Sequence, residues 1–485
     1  MIKTELSIFS FLFLFLYFYK TIGQRIPSRK FKTFTHSSTS VEAVYVCHRC
    51  NFESPLDRPL PKCPKCGSPL EISIPRPVSR LGLAGQGVWR YAAFLPPLRH
   101  RVTRGEGDTP LIRAKRIGDL WGLKRLYLKD ETRNPTGSFV DRGTAISVSA
   151  ALDFGYNAIF CVGEGDLGAS AAAYTAAAGL RCYYKPRGPL DSAKLLQIAV
   201  YGAQIVDSEV SNSYYLWPGD PFLLEGYKTL ALEVVEALGR APDAVVVQVG
   251  HGSLAYGLWR GFELAKELGI AETVPRFYAA QEATCAPVVR TLEGQDRARE
   301  PHVHAGLSSD ILITEPVRLS EVISVVRRTH GRGVAVSPSE VLMALRELAT
   351  KEGLLIDPSA AVGMAALRRL REMGVLDRDE LVLVIATGSG LRSHRVLMKI
   401  VGQGKVIRSR TKLAILNALS QREMHPYALW RWLLDTGFSL TKQAVYKHLK
   451  ELEREGLVTS QEKGRKKVYR LTVKGREALA SSGSA

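Results

Sequence analysis

Between about residue 102 and residue 400, short apolar runs alternate with longer stretches rich in Ala and Leu. The runs are NAIFCV from Asn157, RCYYK from Arg181, AVVVQVG from Ala244, RFYAA from Arg276 and LVLVIATG from Leu381. Each has the length of a strand, and none alternates cleanly with polar residues, as expected for strands buried on both faces. The stretches between them, such as Ala169–Ala178 and Leu230–Leu238, are amphipathic at helical spacing. Buried strands alternating with helices predict a doubly wound α/β domain. No internal repeat is visible.

After Ile400 the pattern changes. VGQGKVIRSR is a Gly-containing basic linker, and helices are then predicted at Thr411–Leu419, Tyr427–Leu434 and Thr441–Glu455, the last ended by Gly456. LVTSQEKGRKKVYRLT reads as a strand, a basic turn at Lys463–Lys466 and a returning strand. Three helices and a basic hairpin make a winged helix-turn-helix. In the third helix Ala444, Val445, Leu449 and Leu452 recur at core spacing, which leaves Lys442, Gln443, Tyr446 and Lys447 on the exposed face. Such a helix enters the DNA major groove, and Lys463, Arg465 and Lys466 at the wing tip are placed to meet phosphates.

Charge supports that partner. The 485-residue chain carries +19 at pH 7, and from Lys405 onward 17 Lys and Arg face 7 Asp and Glu. More than half of the surplus therefore lies in the last sixth of the chain, where a polyanion would bind.

Four of the seven cysteines form two CxxC pairs, Cys47/Cys50 and Cys63/Cys66, in YVCHRCNFESPLDRPLPKCPKCGSPLEI. Two such knuckles place four thiolates tetrahedrally around one structural zinc, the arrangement of a zinc ribbon. Cys161, Cys182 and Cys285 stand alone in apolar contexts and are expected to be buried free thiols. Nothing resembles a secreted disulfide framework, so a reducing, cytoplasmic location is expected. The apolar stretch Leu6–Tyr19 is shorter than a membrane helix requires. With no small-residue cleavage site after it, an over-called start, with initiation at Val41 or Val44, is favoured over a signal or anchor. Only a genuine anchor there would bring a membrane in.

The central segment carries a set of motifs in one order: GEGDTPL, YLKDETRNPTGSF, DPFLLEGYKTLALEV, VGHGSLAYGLWRGF, DPSAAVGMAAL and ATGSGL. Together they resemble threonine synthases, pyridoxal-phosphate enzymes of the tryptophan-synthase β-like fold, which has two α/β subdomains. The C-terminal AVYKHLKELEREGLV and YRLTVKG resemble the PadR family of transcription regulators. The implied domains are an extension at 1–40, a zinc ribbon at 41–75, the threonine-synthase-like domain at 76–400, a linker at 401–408 and the winged helix at 409–485. Both families favour dimers, so a homodimer is expected.

The resemblance breaks at the catalytic centre. Threonine synthases hold their cofactor through the lysine of GSFKDRG; here RNPTGSFVDRG puts Val140 in that position. Valine forms no Schiff base and moves no proton, so no catalytic residue is assigned. Lys129, Lys185 and Lys194 offer no obvious substitute. A second loop departs as well. Where the family has Ser-Thr-Gly-Asn-Thr, whose amides and hydroxyls take the substrate carboxylate, this chain has Gly163, Glu164, Gly165, Asp166 and Leu167. Either these carboxylates oppose an anion, or they point to solvent and cap the following helix. Asp166 stands where the family's Asn bonds the cofactor ring hydroxyl.

Two features persist. Gly250, His251, Gly252, Ser253 and Leu254 lie between a strand and a helix, where free amides and the helix dipole hold a phosphate. The resemblance also assigns Thr387 to the pyridine nitrogen. The expected function is a transcription regulator with a degenerate, ligand-sensing pseudoenzyme domain, binding pyridoxal phosphate without a covalent bond or another small phosphorylated ligand. The alternatives are an active lyase with an appended DNA-binding domain, and a scaffold for dimerisation that binds nothing.

Overall fold

The structure, a computed structural model, describes residues 43–74, 85–188, 190–295, 307–394, 396–397, 410–438, 440–463 and 466–482. The extension at 1–40, the linker at 401–408 and Arg465 lie outside the described residues, as do the side chains of Lys463 and Lys466.

The ribbon is a three-stranded antiparallel sheet. Strand β1 (Val44–Cys47) lies between β2 (Phe52–Pro55) and β3 (Glu71–Ser73). Its apolar side chains do not form a core alone. Tyr45, Leu70 and Ile72 share one buried cluster with Phe222 and Tyr227 of the next domain.

That domain has two sheets. Strands β4 (Leu111–Arg113) and β5 (Arg125–Asp130) begin the larger one. The chain then builds the smaller sheet from β6 (Ala158–Gly163), β7 (Arg181–Pro186), β8 (Gln204–Ile205) and β9 (Tyr214–Leu216). It returns to the larger sheet with β10 (Ala244–Gln248), β11 (Arg276–Glu282), β12 (Gly333–Val336) and β13 (Leu381–Ala386). The order is β12-β11-β10-β13-β5-β4, parallel except at the β4 edge, and β8-β7-β6-β9, wholly parallel. β6, β10 and β13 are buried at every position, which is why they read as continuous apolar runs.

The helices that shape the cavity are α1 (Val140–Asp153), α2 (Gly165–Ala178), α3 (Ser192–Val200), α4 (Pro221–Leu238), α5 (Ser253–Glu267) and α6 (Pro358–Glu372). Helix α4 starts where Asp220 accepts the Phe222 amide and Pro221 fills the first turn, and it stops at Gly239 in the left-handed region. α4 and α1 approach backbone to backbone: a Cβ on Gly226 would lie 2.1 Å from the Arg142 carbonyl oxygen, so only glycine fits there. Between them the fully buried Arg142 guanidinium pairs with Glu131 and Glu233 at 2.6 Å each and also meets Thr109 and Thr229. Glu233 takes Lys129 as well, at 2.6 Å. Buried charge is tolerable only when satisfied this completely, and Lys129 is thereby committed to structure.

The C-terminal unit has α7 (Arg410–Gln421), α8 (Pro426–Asp435) and α9 (Lys442–Arg454), followed by the hairpin β14 (Val458–Lys463) and β15 (Lys466–Leu471). Helix α9 is capped by Thr441, whose hydroxyl accepts the Ala444 amide at 3.2 Å. Ile415, Leu416, Leu429, Leu433, Val445, Leu449, Leu452 and Tyr469 form a separate buried core. A further helix, α10 (Val473–Ser482), follows the wing and was not anticipated from the sequence. Its Gly475 hides the helical pattern, yet a Cβ there would sit 2.0 Å from the Leu457 carbonyl oxygen. Among the described residues no helix is long and apolar enough to cross a membrane.

Candidate functional site

The four ribbon cysteines converge. Cys47 and Cys66 sulfurs lie 3.5 Å apart, as do those of Cys50 and Cys63, and all four fall within 4.8 Å of one another. A tetrahedron with zinc–sulfur bonds of about 2.3 Å has sulfur–sulfur edges of about 3.8 Å. The donor set and its spacing fit zinc. Cys161, Cys182 and Cys285 are buried and unpaired, as expected.

The loop leading into α1 is held by a buried carboxylate and carries Val140 at its end. Thr136 donates its amide and hydroxyl to Asp141, each at 2.7 Å, and Ser170 donates to the same carboxylate at 2.6 Å. Burial pushes the Asp141 carboxyl up to about 6. Phe139 donates its amide to the Thr387 carbonyl, and Ser389 returns one to Gly137, both at 2.9 Å. Val140 opens the helix from this braced loop, 6% exposed, and lines a cavity with Phe139, Leu167, Tyr227 and Thr387.

The opposite wall is the turn from β10 into α5. Gly252 has φ +91°, and a Cβ there would meet the Val322 side chain at 2.8 Å, so the tight turn depends on glycine. The turn lays the first amides of a 15-residue helix along the cavity, and Gly250, His251, Gly252, Ser253 and Leu254 all line it. None of these five amides meets an acceptor among the described residues. Such amides at the positive end of a helix are suited to a phosphate. Thr387 also lines the cavity, 5% exposed, with its hydroxyl oxygen accepting from the Gln248 amide. The residues fit a phosphate-bearing ring compound at these two ends, and Val140 denies it a covalent anchor.

Glu164 and Asp166 do not turn to solvent. Both line the cavity, and Glu164, at the N-cap of α2, makes no capping bond and meets His251 Nε2 at 3.1 Å. Asp166 is more strongly held. Lys194 from α3 pairs with it at 2.6 Å and Arg392 at 3.0 Å, while the Ser138 hydroxyl donates at 3.0 Å. Burial alone would raise its pKa, but Arg392 and Lys194 outweigh it and hold the carboxyl well below the usual range. Lys194 pairs with Asp310 too. Burial alone would lower the ammonium's pKa; Asp166 and Asp310 reverse this and keep it charged. Asp166, Asp310 and Asp357 bring oxygens within 4.8 Å of one another, and the cation this grouping calls for is Lys194.

Val140, Asp166 and the Gly250–Leu254 turn are legible in the sequence; the lining carboxylates Asp310 and Asp357, and the cations Lys194 and Arg392 that pair with Asp166 behind the wall, are not. Each sits far along the chain from the motif it serves. Only for Asp357 was there a signal, an Asp-Pro helix start within DPSAAVGMAAL.

On α9, Lys442, Gln443, Tyr446 and Lys447 are exposed, and Val445, Leu449 and Leu452 are buried. Ala444 is half-buried. Lys450 and Arg454 extend the exposed face by two turns along one shallow groove with Gln443, Tyr446 and Lys447. Lys442 carries its ammonium 4.8 Å above the rings of both Tyr427 and Trp430, so α8 fixes its direction.

Residues 102–388 match the family model of pyridoxal-phosphate-dependent enzymes, and residues 415–481 match the PadR-like family of transcriptional regulators. Among curated proteins, the chain is 31% identical over 384 residues to the threonine synthase of Methanosarcina acetivorans, covering 74% of this chain and 95% of the relative. It is 32% identical to that of Methanocaldococcus jannaschii, over 71% and 92%. Among solved structures it is similar to maize serine racemase, with a TM-score of 0.50, 17% identity and coverage of 61% and 93%. The processed threonine deaminase isoform 2 of Solanum lycopersicum gives a TM-score of 0.51 at 16% identity, over 71% and 98%. The two structural likenesses speak for the fold alone.

Proposed function

The chain belongs to the pyridoxal-phosphate-dependent enzymes, among the threonine synthases, and carries a PadR-like domain; from that premise we propose a transcription regulator whose enzyme-like domain senses a phosphorylated ligand. The observation that carries this reading is Val140 on the cavity wall, inside a loop whose hydrogen-bonded frame is otherwise kept. Ionisable groups also fill the wall where a substrate carboxylate would sit, with Asp166 clamped between Lys194 and Arg392. When pyridoxal phosphate is bound in an enzyme of this family it supplies the electron sink for the substrate carbanion. In this chain the turn at Gly250–Leu254 would take the phosphate, Thr387 would face the ring nitrogen, and no residue at position 140 would move a proton.

The test is a binding measurement with two readouts. Purified full-length protein should bind DNA from its own upstream region in a salt-dependent manner, and a phosphorylated ligand should change that affinity by about 5–150-fold, the usual span of coupling between sites. Threonine formation from O-phosphohomoserine by the unmodified chain would decide for the rival reading, an active lyase with an appended DNA-binding domain. One observation favours that rival: Lys194 brings a buried ammonium to Asp166 and Asp310, two carboxylates of the cavity wall. Its double ion pair argues against a role as base.

A further inference from the structure

The cavity pairs a phosphate grip with an excess of carboxylate. Glu164, Asp166, Asp310 and Asp357 line it. Lys194 is shared between Asp166 and Asp310, and Arg392 pairs with Asp166. No cation lies within ion-pair distance of Asp357 among the described residues, and Glu164 has only His251. Four carboxylates thus face two permanent cations. Burial, and then the neighbouring Asp166 charge, push the Asp357 carboxyl up to about 6, although Lys194 and Arg392 act against the shift from a distance. Three further buried atoms of lining residues lack hydrogen-bond partners: the Ser359 hydroxyl, 5% exposed, the amide oxygen of Gln248, 4% exposed, and His251 Nδ1. Buried polar atoms left unpaired are costly, and an acceptor wants a donor.

We propose that the ligand of this cavity is a phosphomonoester bearing a protonated primary amine, its phosphate on the Gly250–Leu254 amides and its ammonium against Asp357 and Ser359. The proposal rests on the ligand-sensing reading above and narrows its chemistry. An ammonium supplies the missing charge and up to three N–H donors. An aldehyde finds no amine at Val140, and an amino acid brings a fifth carboxylate to a wall that already has four. The apolar lining of Phe139, Leu167, Leu223 and Tyr227, with the Phe139 and Tyr227 rings 5.0 Å apart, suits an aromatic body between the two ends.

Calorimetric titration of the full chain with pyridoxamine 5′-phosphate, phosphoethanolamine, pyridoxal 5′-phosphate and inorganic phosphate tests this. Pyridoxamine phosphate should bind at least about tenfold more tightly than pyridoxal phosphate, a difference of about 1.4 kcal/mol. Phosphoethanolamine binding above inorganic phosphate would support the amine class and assign it to small aliphatic esters if it exceeds pyridoxamine phosphate. Asp357→Asn should erase the preference for the amine while leaving inorganic phosphate affinity within about twofold, and Ser359→Ala, which leaves the Asp357 helix cap in place, should reduce it in part. Equal binding of pyridoxal and pyridoxamine phosphates would overturn the amine proposal and leave the phosphate-sensing reading standing. Failure of all four probes on folded protein would overturn both.

Discussion

The Tyr256 hydroxyl donates to Glu71 Oε1 across 2.7 Å, joining the helix that follows the phosphate turn to the last strand of the ribbon. Glu71 also takes Arg260 at 3.4 Å and His48 at 3.2 Å. Two parallel links reinforce it. Arg318 donates from its side chain to the Leu70 carbonyl at 2.8 Å and from its backbone to the His251 carbonyl at 2.9 Å. Trp217 donates to the Pro61 carbonyl at 3.0 Å, one residue before the Pro218 carbonyl that receives the Ser253 hydroxyl. The ribbon therefore braces the Gly250–Leu254 turn, and a metal held by its four cysteines would act on that turn from a distance.

Removing zinc should loosen that brace. The full chain is expected to hold one zinc, and chelation should weaken phosphate binding while leaving the winged-helix unit, with its own core, folded. Tyr256→Phe should reproduce a milder version. It leaves the Glu71 oxygen one donor short, for a loss of about 1–2 kcal/mol in stability and a few-fold loss in ligand affinity. Metal analysis, circular dichroism and titration check the three parts, and unchanged phosphate affinity in zinc-free, folded protein would refute the coupling.

Restoring lysine should restore attachment and little else. In Val140→Lys the new side chain would enter a loop whose frame is already built, so pyridoxal phosphate should give a visible absorbance band that borohydride fixes to the chain. Turnover should stay low, because Asp166 remains locked by Lys194 and Arg392 where a substrate carboxylate would bind. Kinetics on O-phosphohomoserine decide this, and turnover near an ordinary kcat of about 10 per second would mean that the lysine was the sole defect.

How far the sequence foretold this differs from one element to the next. Buried parallel strands such as β10 and β13 were legible because burial on both faces leaves an unbroken apolar run. The cysteine cluster and the exposed face of α9 were legible because their spacing is local. The charge balance of the cavity was not. Asp166 looked like an uncompensated anion, since the residues that neutralise it lie 28 and 226 positions away: Lys194 reaches it from the next helix of the same subdomain, and Arg392 from beyond β13 of the other. Asp310 was equally hidden. It stands in a single turn of 3-10 helix with no motif around it.

Acidity offers a separate check through Asp220. Its carboxylate caps α4 by accepting the Phe222 amide at 2.9 Å and receives the Tyr214 hydroxyl at 3.0 Å, and burial pushes it up to about 7. A carboxyl whose folded pKa exceeds its unfolded value binds its proton more tightly when folded. Its contribution is therefore most favourable below about pH 4 and is lost as pH rises to about 7. Asp220→Asn keeps a capping oxygen and removes the titration. Between pH 5 and 7.5 the variant should lose less stability than the parent, by a margin on the order of a few kcal/mol in denaturant melts. Parallel pH profiles for the two proteins would show that Asp220 does not titrate in this window.

The exposed residues of α9 are expected to divide by role in DNA binding. Lys442 rests on the Tyr427 and Trp430 rings, which fixes its direction at the start of α9, while Gln443 and Tyr446 line the exposed groove with Lys447, Lys450 and Arg454. Changing Gln443 or Tyr446 to Ala should alter preference among operator sequences, by about 1–3 kcal/mol where the side chain bonds directly to a base. Neutralising Lys463, Arg465 and Lys466 should instead weaken binding to all sequences alike and reduce the salt slope by about one for each phosphate no longer neutralised. Lys450→Ala and Arg454→Ala, at the far end of the same face, should behave like the wing changes. Trp430→Ala should act through Lys442 by removing its aromatic seat, costing affinity without changing preference. Gel-shift titrations over a salt series on a two-fold operator and on shuffled DNA separate these outcomes. Loss of discrimination in the wing variants, or none in the Gln443 and Tyr446 variants, would reverse the assignment of reading and anchoring residues.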